Sequence, residues 1–144
     1  MANEPDKIQR GQTPDLAAWE ALLLELGRDI ERVADRLRGL SEARLAAAAP
    51  PHASRAAAAR ATAQVLADAA AGLEAGAGQP LWRELPVLID LSAGDQVAVT
   101  GHDLLSAAGS AAPDDPVCAR HGRRTAHDVL ADAADDLAAL RRLL

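Results

Sequence analysis

Residues 16–40 read LAAWEALLLELGRDIERVADRLRGL. Leu16, Trp19, Leu23, Leu26, Ile30, Val33, Leu37 and Leu40 fall alternately three and four residues apart, an unbroken a/d heptad stripe. Such a stripe predicts one long helix lying lengthwise against partner helices. It carries no chemistry. Leu22 and Leu24 lie off the stripe, so this helix holds more apolar surface than one seam needs. With Arg28, Arg32 and Arg36 beside it, that surplus is read as an interaction surface, covered by another part of the chain or by a second subunit. A homodimer is the favoured state.

Composition extends the helical reading to the whole chain. Apolar residues make up 49% of 144 residues, yet there is no Phe, no Tyr and only two Trp. Roughly a quarter of the chain is Ala, the strongest helix former, while the β-branched and aromatic residues that favour strands are scarce. An all-α protein with a Leu/Ala core is expected, with Trp19 and Trp82 as its large anchors.

The net charge of −6 argues against non-specific nucleic-acid binding, which needs a basic face to neutralise phosphates. No apolar run approaches the ~20 residues of a membrane span. The N-terminus has no signal-peptide core. Cys118 is the single cysteine, so no internal disulfide forms. A soluble cytoplasmic protein is the expectation. Lys7 is the sole lysine among many arginines, usage typical of a GC-rich, actinobacterial genome.

Residues 1–13 are polar and aperiodic and read as a disordered tail, leaving residues 14–144 as one domain. Thr13-Pro14 looks like a cap followed by a first-turn proline, starting a first helix that runs from Pro14 to Leu40. A short helix over Glu42–Ala49 ends at Pro50-Pro51. Ser54 caps a second helix, Arg55 to Ala75, with Ala58, Ala61, Val65, Ala69 and Leu73 as its apolar face and Leu66 and Ala70 widening it. Residues 79–93 form a long connector whose Leu81, Trp82, Leu85, Val87, Leu88 and Ile89 are expected to cover the core.

A third helix is expected from Gly94 to Ala112, since Val97, Gly101, Leu104, Leu105 and Ala108 share a face. Asp115-Pro116 looks like another cap-plus-proline start. A fourth helix then runs to the C-terminus along Ala126, Val129, Leu130, Ala133, Leu137, Leu140 and Leu144. Together these predict a four-helix, mainly antiparallel bundle with a long apolar connector between helices two and three.

VLADAA occurs at Val65–Ala70 and again at Val129–Ala134, which points to a duplicated hairpin or to chance in a biased composition. Asp128, Asp132 and Asp135 form an acidic row that could face the arginine row of the first helix, or both rows could be solvated. No histidine pair has the spacing of a helical metal clamp. Cys118 and His121 are three apart, a spacing that would share a helix face, yet two ligands do not make a metal site. Phosphate loops, paired-Cys zinc patterns and nucleophile elbows are absent from the sequence.

Two stretches resemble known families. VAVTGHDLLSAAG at residues 97–109, VLADAA in the second helix and LRGLSEARL at Leu37–Leu45 resemble the DinB-like family, particularly its mycothiol-dependent maleylpyruvate isomerase branch. That resemblance implies a four-helix bundle holding a divalent metal, with ligand positions falling at Asp68, Gln96 and Thr100, and His102 beside them. Gln96 and Thr100 replace the family's Glu and His, so the resemblance implies the bundle more than the enzyme. RTAHDVLA, Arg124–Ala131, resembles the phosphoacceptor box of a histidine-kinase class and implies His127 as phosphoacceptor with Asp128 orienting it. Three functions stay open: a non-catalytic helical interaction or regulatory protein with no cofactor, which leads; a degenerate metal-dependent thiol transferase; and a phosphotransfer module.

Overall fold

The computed structural model describes residues 16–144. The expected tail and the Thr13-Pro14 helix start lie outside them. The chain is mainly helical: α1 (Leu16–Arg38), α2 (Glu42–Ala46), α3 (Arg55–Ala75), a 3-10 turn at Asp90–Ser92 leading into α4 (Ala93–Ala108), a hairpin of β1 (Pro116–Ala119) and β2 (Gly122–Thr125), and α5 (Ala126–Leu143). Among the described residues no helix is long and apolar enough to cross a membrane.

Local chemistry sets the helix ends. The Ser54 hydroxyl accepts from the Ala57 N–H at 3.0 Å, the capping geometry that starts α3. Thr125 Oγ1 does the same for α5, accepting from Asp128 N at 3.1 Å. At the other end of α5, Arg55 Nε donates to the Leu143 carbonyl and Arg36 Nη2 to that of Leu144, at 2.9 and 3.0 Å. These guanidiniums satisfy carbonyls that have no partner inside the helix.

The core follows the α1 stripe. Trp19, Leu26, Ile30, Val33, Leu37 and Leu40 are buried, Leu23 is half-buried and Leu16 is exposed. The expected faces of α4 and α5 are buried too, at Val97, Gly101, Leu104 and Ala108 and from Ala126 through Leu140, with Leu105 and Leu144 half-buried. The face expected for α3 is met in part: Ala58, Leu66, Ala69 and Ala70 are buried and Val65 and Leu73 half-buried, but Ala61 is exposed, and Ala56, Ala59, Thr62 and Ala63 join the core side. With alanine almost all round, this helix offers little apolar contrast, and its neighbours choose its face.

Packing partners show which way each helix runs. Gly94 sits against Ala34 and Arg38, Gly101 against Ile30 and Gly27 against Leu105, so α1 and α4 are antiparallel. The Arg55–Leu143 contact makes α3 and α5 antiparallel. Arg60 reaches Asp90 at 3.1 Å, and Leu73 and Glu74 lie beside Ser106 and Ala107, so α3 and α4 run the same way. The four long helices therefore do not alternate in direction, as a mainly antiparallel arrangement would require. A parallel neighbour needs a return path. The 21 residues of α3 climb roughly 30 Å at ~1.5 Å each, a distance that residues 76–89 span when extended at up to ~3.3 Å each.

Two expectations about the connecting segments are corrected. The connector does not cover the core: Leu81, Val87, Leu88 and Ile89 are exposed, and only Trp82 and Leu85 are half-buried. It is pinned by side chains instead. Gln64 donates to Arg83 O and accepts from Leu85 N, each at 2.9 Å, and Gln96 Nε2 donates to Pro86 O at 2.9 Å.

The fourth helix does not start at Asp115-Pro116 either. Asp115 turns its carboxylate back onto the Ala112 N–H at 2.8 Å, and Pro116–Thr125 form the hairpin, with Pro116 opposite Thr125 and Ala119 opposite Gly122. Pro116 opens the strand, a position that tolerates its missing N–H. Gly122 stands at the turn with φ 131°, outside any helix.

Candidate binding groove

The hairpin lays one strand across the end of α3, and Val117 is buried there. This seating depends on Gly72: a Cβ at that position would lie 2.8 Å from the Cys118 carbonyl oxygen and 3.0 Å from Val117 Cγ1. Between α3, α5 and the hairpin remains a cavity of about 270 Å³. Val65, Ala69, Val117 and Val129 supply its apolar surface, and charged side chains stand among them: Asp68 from α3, Arg120 and Arg124 from the hairpin, Asp132 and Asp136 from α5. The two VLADAA copies thus line opposite walls of one groove. Five residues before each copy stands an arginine, Arg60 inside a helix and Arg124 in a strand, so the likeness of the two segments does not extend that far.

Most of these charges are paired. Arg120 meets Asp68 through two nitrogens, at 2.7 and 3.2 Å, the forked geometry that makes Arg–carboxylate pairs strong. That hydrogen bonding raises the Arg120 pKa above its ordinary value, against the burial that lowers it. The same guanidinium stacks over the Trp82 ring at 5.0 Å, a cation–π contact, and Gln64 donates to Asp68 at 2.9 Å. Trp82 is therefore an anchor between connector and hairpin and not a core side chain. Arg124 pairs with Asp132 at 2.9 Å.

Asp136 differs. It is half-buried, and among the described residues no hydrogen bond or ion pair reaches it. Burial raises its carboxyl pKa above the ordinary value, and the charges of Asp132 and Asp135 raise it further. The folded state then holds this proton more tightly than the unfolded chain does. Its ionisation costs stability as pH rises from the ordinary value of 3.8 through the raised one. Asp136→Asn is expected to raise the melting temperature at neutral pH and to leave it unchanged below the ordinary carboxylate range. Thermal unfolding at the two pH values checks this, and an unchanged neutral-pH melting temperature would refute it.

The residues singled out from sequence go to separate places. Asp68 is in the groove, bound to Arg120 and Gln64. Gln96 is buried facing the connector, with its Oε1 unpartnered. The buried Thr100 hydroxyl donates to Gln96 O on its own helix at 2.8 Å. His102 is exposed and pairs with Glu31 of α1. Among the described residues no group of three or more His, Cys, Asp and Glu side chains is placed to hold a metal. His127 is exposed in the first turn of α5, with Nδ1 3.9 Å from Asp128. Cys118 and His121 both line the groove but lie on the hairpin, not on a helix.

The arginine and aspartate rows do not pair across the helices. Arg28 meets Glu25, Arg32 meets Glu25 and Asp29, and Arg36 caps α5, while Asp128 and Asp132 face Arg124. Leu22 is half-buried and Leu24 exposed, beside a shallow surface formed with Leu23, Gly27 and Leu105.

Two features escaped sequence reasoning. The hairpin was hidden because Pro116–Thr125 is short and lies between helical stretches; its readable signals were Val117 and Thr125 flanking a glycine turn. Arg120 could not be placed beside Trp82 and Asp68 without that hairpin. No family model matches this chain, no curated protein matches its sequence, and no solved structure matches its fold.

Proposed function

We propose that this protein is a non-catalytic interaction or regulatory protein, a four-helix bundle that associates with a second copy of itself through its connector. One observation carries the reading. Val87 and Ile89 are 85% and 72% exposed, with Leu88 and Leu91 beside them, on a strap pinned to the helices by Gln64 and Gln96. A contiguous apolar ridge held in a defined shape is what a contact surface requires. Its polar members support a symmetric partner. Arg83 and Glu84 are adjacent and exposed, so a twofold axis between two copies can set each against the other.

The absence of chemistry in this reading is supported by the pairings already described. Asp68 and Asp132 are engaged by arginines, and the Thr100 hydroxyl is turned onto its own backbone. Sedimentation velocity over a range of concentrations tests the association. The wild-type chain is expected to dimerise. A Val87→Asp, Ile89→Asp double variant is expected to remain monomeric with an unchanged helical circular dichroism spectrum, because neither residue is in the core. A monomeric wild-type chain, or a double variant that still dimerises, would overturn the reading.

A further inference from the structure

The groove between α3, α5 and the hairpin is unbalanced in a way that specifies a ligand. Its charged members cancel except at one point. Arg120 is committed to Asp68, and Arg124 to Asp132 with Asp128 at 3.9 Å. Asp136 lines the same cavity, half-buried and without a partner among the described residues. Around it are Asp132 and Asp135 from its own helix, Asp68 from α3, and Arg120, His121 and Arg124 from the hairpin. The apolar surface is supplied by Val65, Ala69, Val117 and Val129.

Each class of occupant can be weighed against that inventory. An anion would meet an unpaired carboxylate and two arginines already engaged. A neutral molecule would bury Asp136 further with no compensation, which is costly for a charge. A bare metal ion lacks ligands, since no group of three suitable side chains is assembled among the described residues. An organic cation meets both needs. Its charge pairs with Asp136, and its hydrocarbon body leaves water for the aliphatic side chains.

We propose that this groove binds a small organic cation, a primary ammonium on a compact hydrocarbon body, with Asp136 as its counter-ion and Val65, Ala69, Val117 and Val129 holding the body. The site is independent of the connector ridge and requires no self-association.

Four compounds of like shape test it by isothermal titration calorimetry at neutral pH: cyclohexylamine, benzylamine, cyclohexanol and cyclohexanecarboxylate. The two amines are expected to bind, and the alcohol and carboxylate to bind at least about tenfold more weakly or not at all. Asp136→Asn should weaken amine binding about tenfold or more, the loss of one charge-assisted contact. Glu42→Gln, an exposed carboxylate on α2 outside the cavity lining, should leave it unchanged. The Val87→Asp, Ile89→Asp variant should bind amines as the wild type does, which separates this site from the association surface. No amine binding at millimolar concentration, equal binding by Asp136→Asn, or equal binding of cyclohexanol would each overturn the proposal.

Discussion

Leu26→Ala lowers the free energy of unfolding by about 2–5 kcal/mol, whereas Leu24→Ala, two positions earlier, changes it by less than about 1 kcal/mol. The residues are chemically identical and share a helix. Leu26 is fully buried and Leu24 is 64% exposed. Truncating Leu26 removes its transfer free energy and leaves a void that α1, packed against both α4 and α5, cannot close. A loss of that size is a large part of the ~5–15 kcal/mol that holds a typical domain together. Urea unfolding measures it as a lower midpoint at constant slope. Equal effects at the two positions would show that the stripe does not define the core.

Gly101→Ala is the second large effect, and its sign runs against helix propensity. In a free helix this change is worth ~1 kcal/mol of stabilisation. Here the added Cβ would lie 2.6 Å from Ile30 Cγ2 and 2.9 Å from its Cγ1 and Cδ1. Ile30 is fully buried and, being β-branched, stiff at χ1, so its atoms do not move aside cheaply. Two turns earlier, a Cβ at Gly94 would lie 2.8 Å from the Ala34 carbonyl oxygen, so α4 lies close against α1 there too and cannot back away at Gly101 without loosening that contact. Overpacking of this kind typically costs ~1–3 kcal/mol, and a net loss of about 1–2 kcal/mol is expected. Ile30→Ala removes all three clashing atoms. The Gly101→Ala, Ile30→Ala double variant should therefore be more stable than the sum of the single effects by about 1 kcal/mol or more. Strict additivity in chemical denaturation would refute the close approach.

How far each element could be read in advance tracks its apolar contrast. On α1 and α5, leucines stand among charged residues at helical spacing, and both buried faces were legible. On α3 the ends were legible through Ser54 and the glycines after Ala75, yet only part of the face was. A helix of alanines packs acceptably on several sides, and the hairpin seated at Gly72 helps decide which. The connector misled for the opposite reason. Its apolar residues implied burial, but its backbone is held by Gln64 and Gln96 at residues 83–86, and the apolar side chains on either side of those pins, Leu81 and Val87 to Ile89, are left outside. Within the groove, Asp68 was singled out as a metal-ligand position, whereas its neighbour here is Arg120, contributed by a strand that the helical reading did not contain.

The sequence by itself determined that this chain is helical, where its long helices lie apart from the start of α5, and most of the buried faces of α1, α4 and α5, because periodicity and caps are local properties that each segment carries alone. Tertiary structure alone decided the directions of the helices, the hairpin, the exposure of the connector and the unpaired state of Asp136. Each of these depends on what stands opposite a residue. A carboxylate is satisfied or left alone according to whether an arginine from a distant segment reaches it, and no spacing along the chain records that distance.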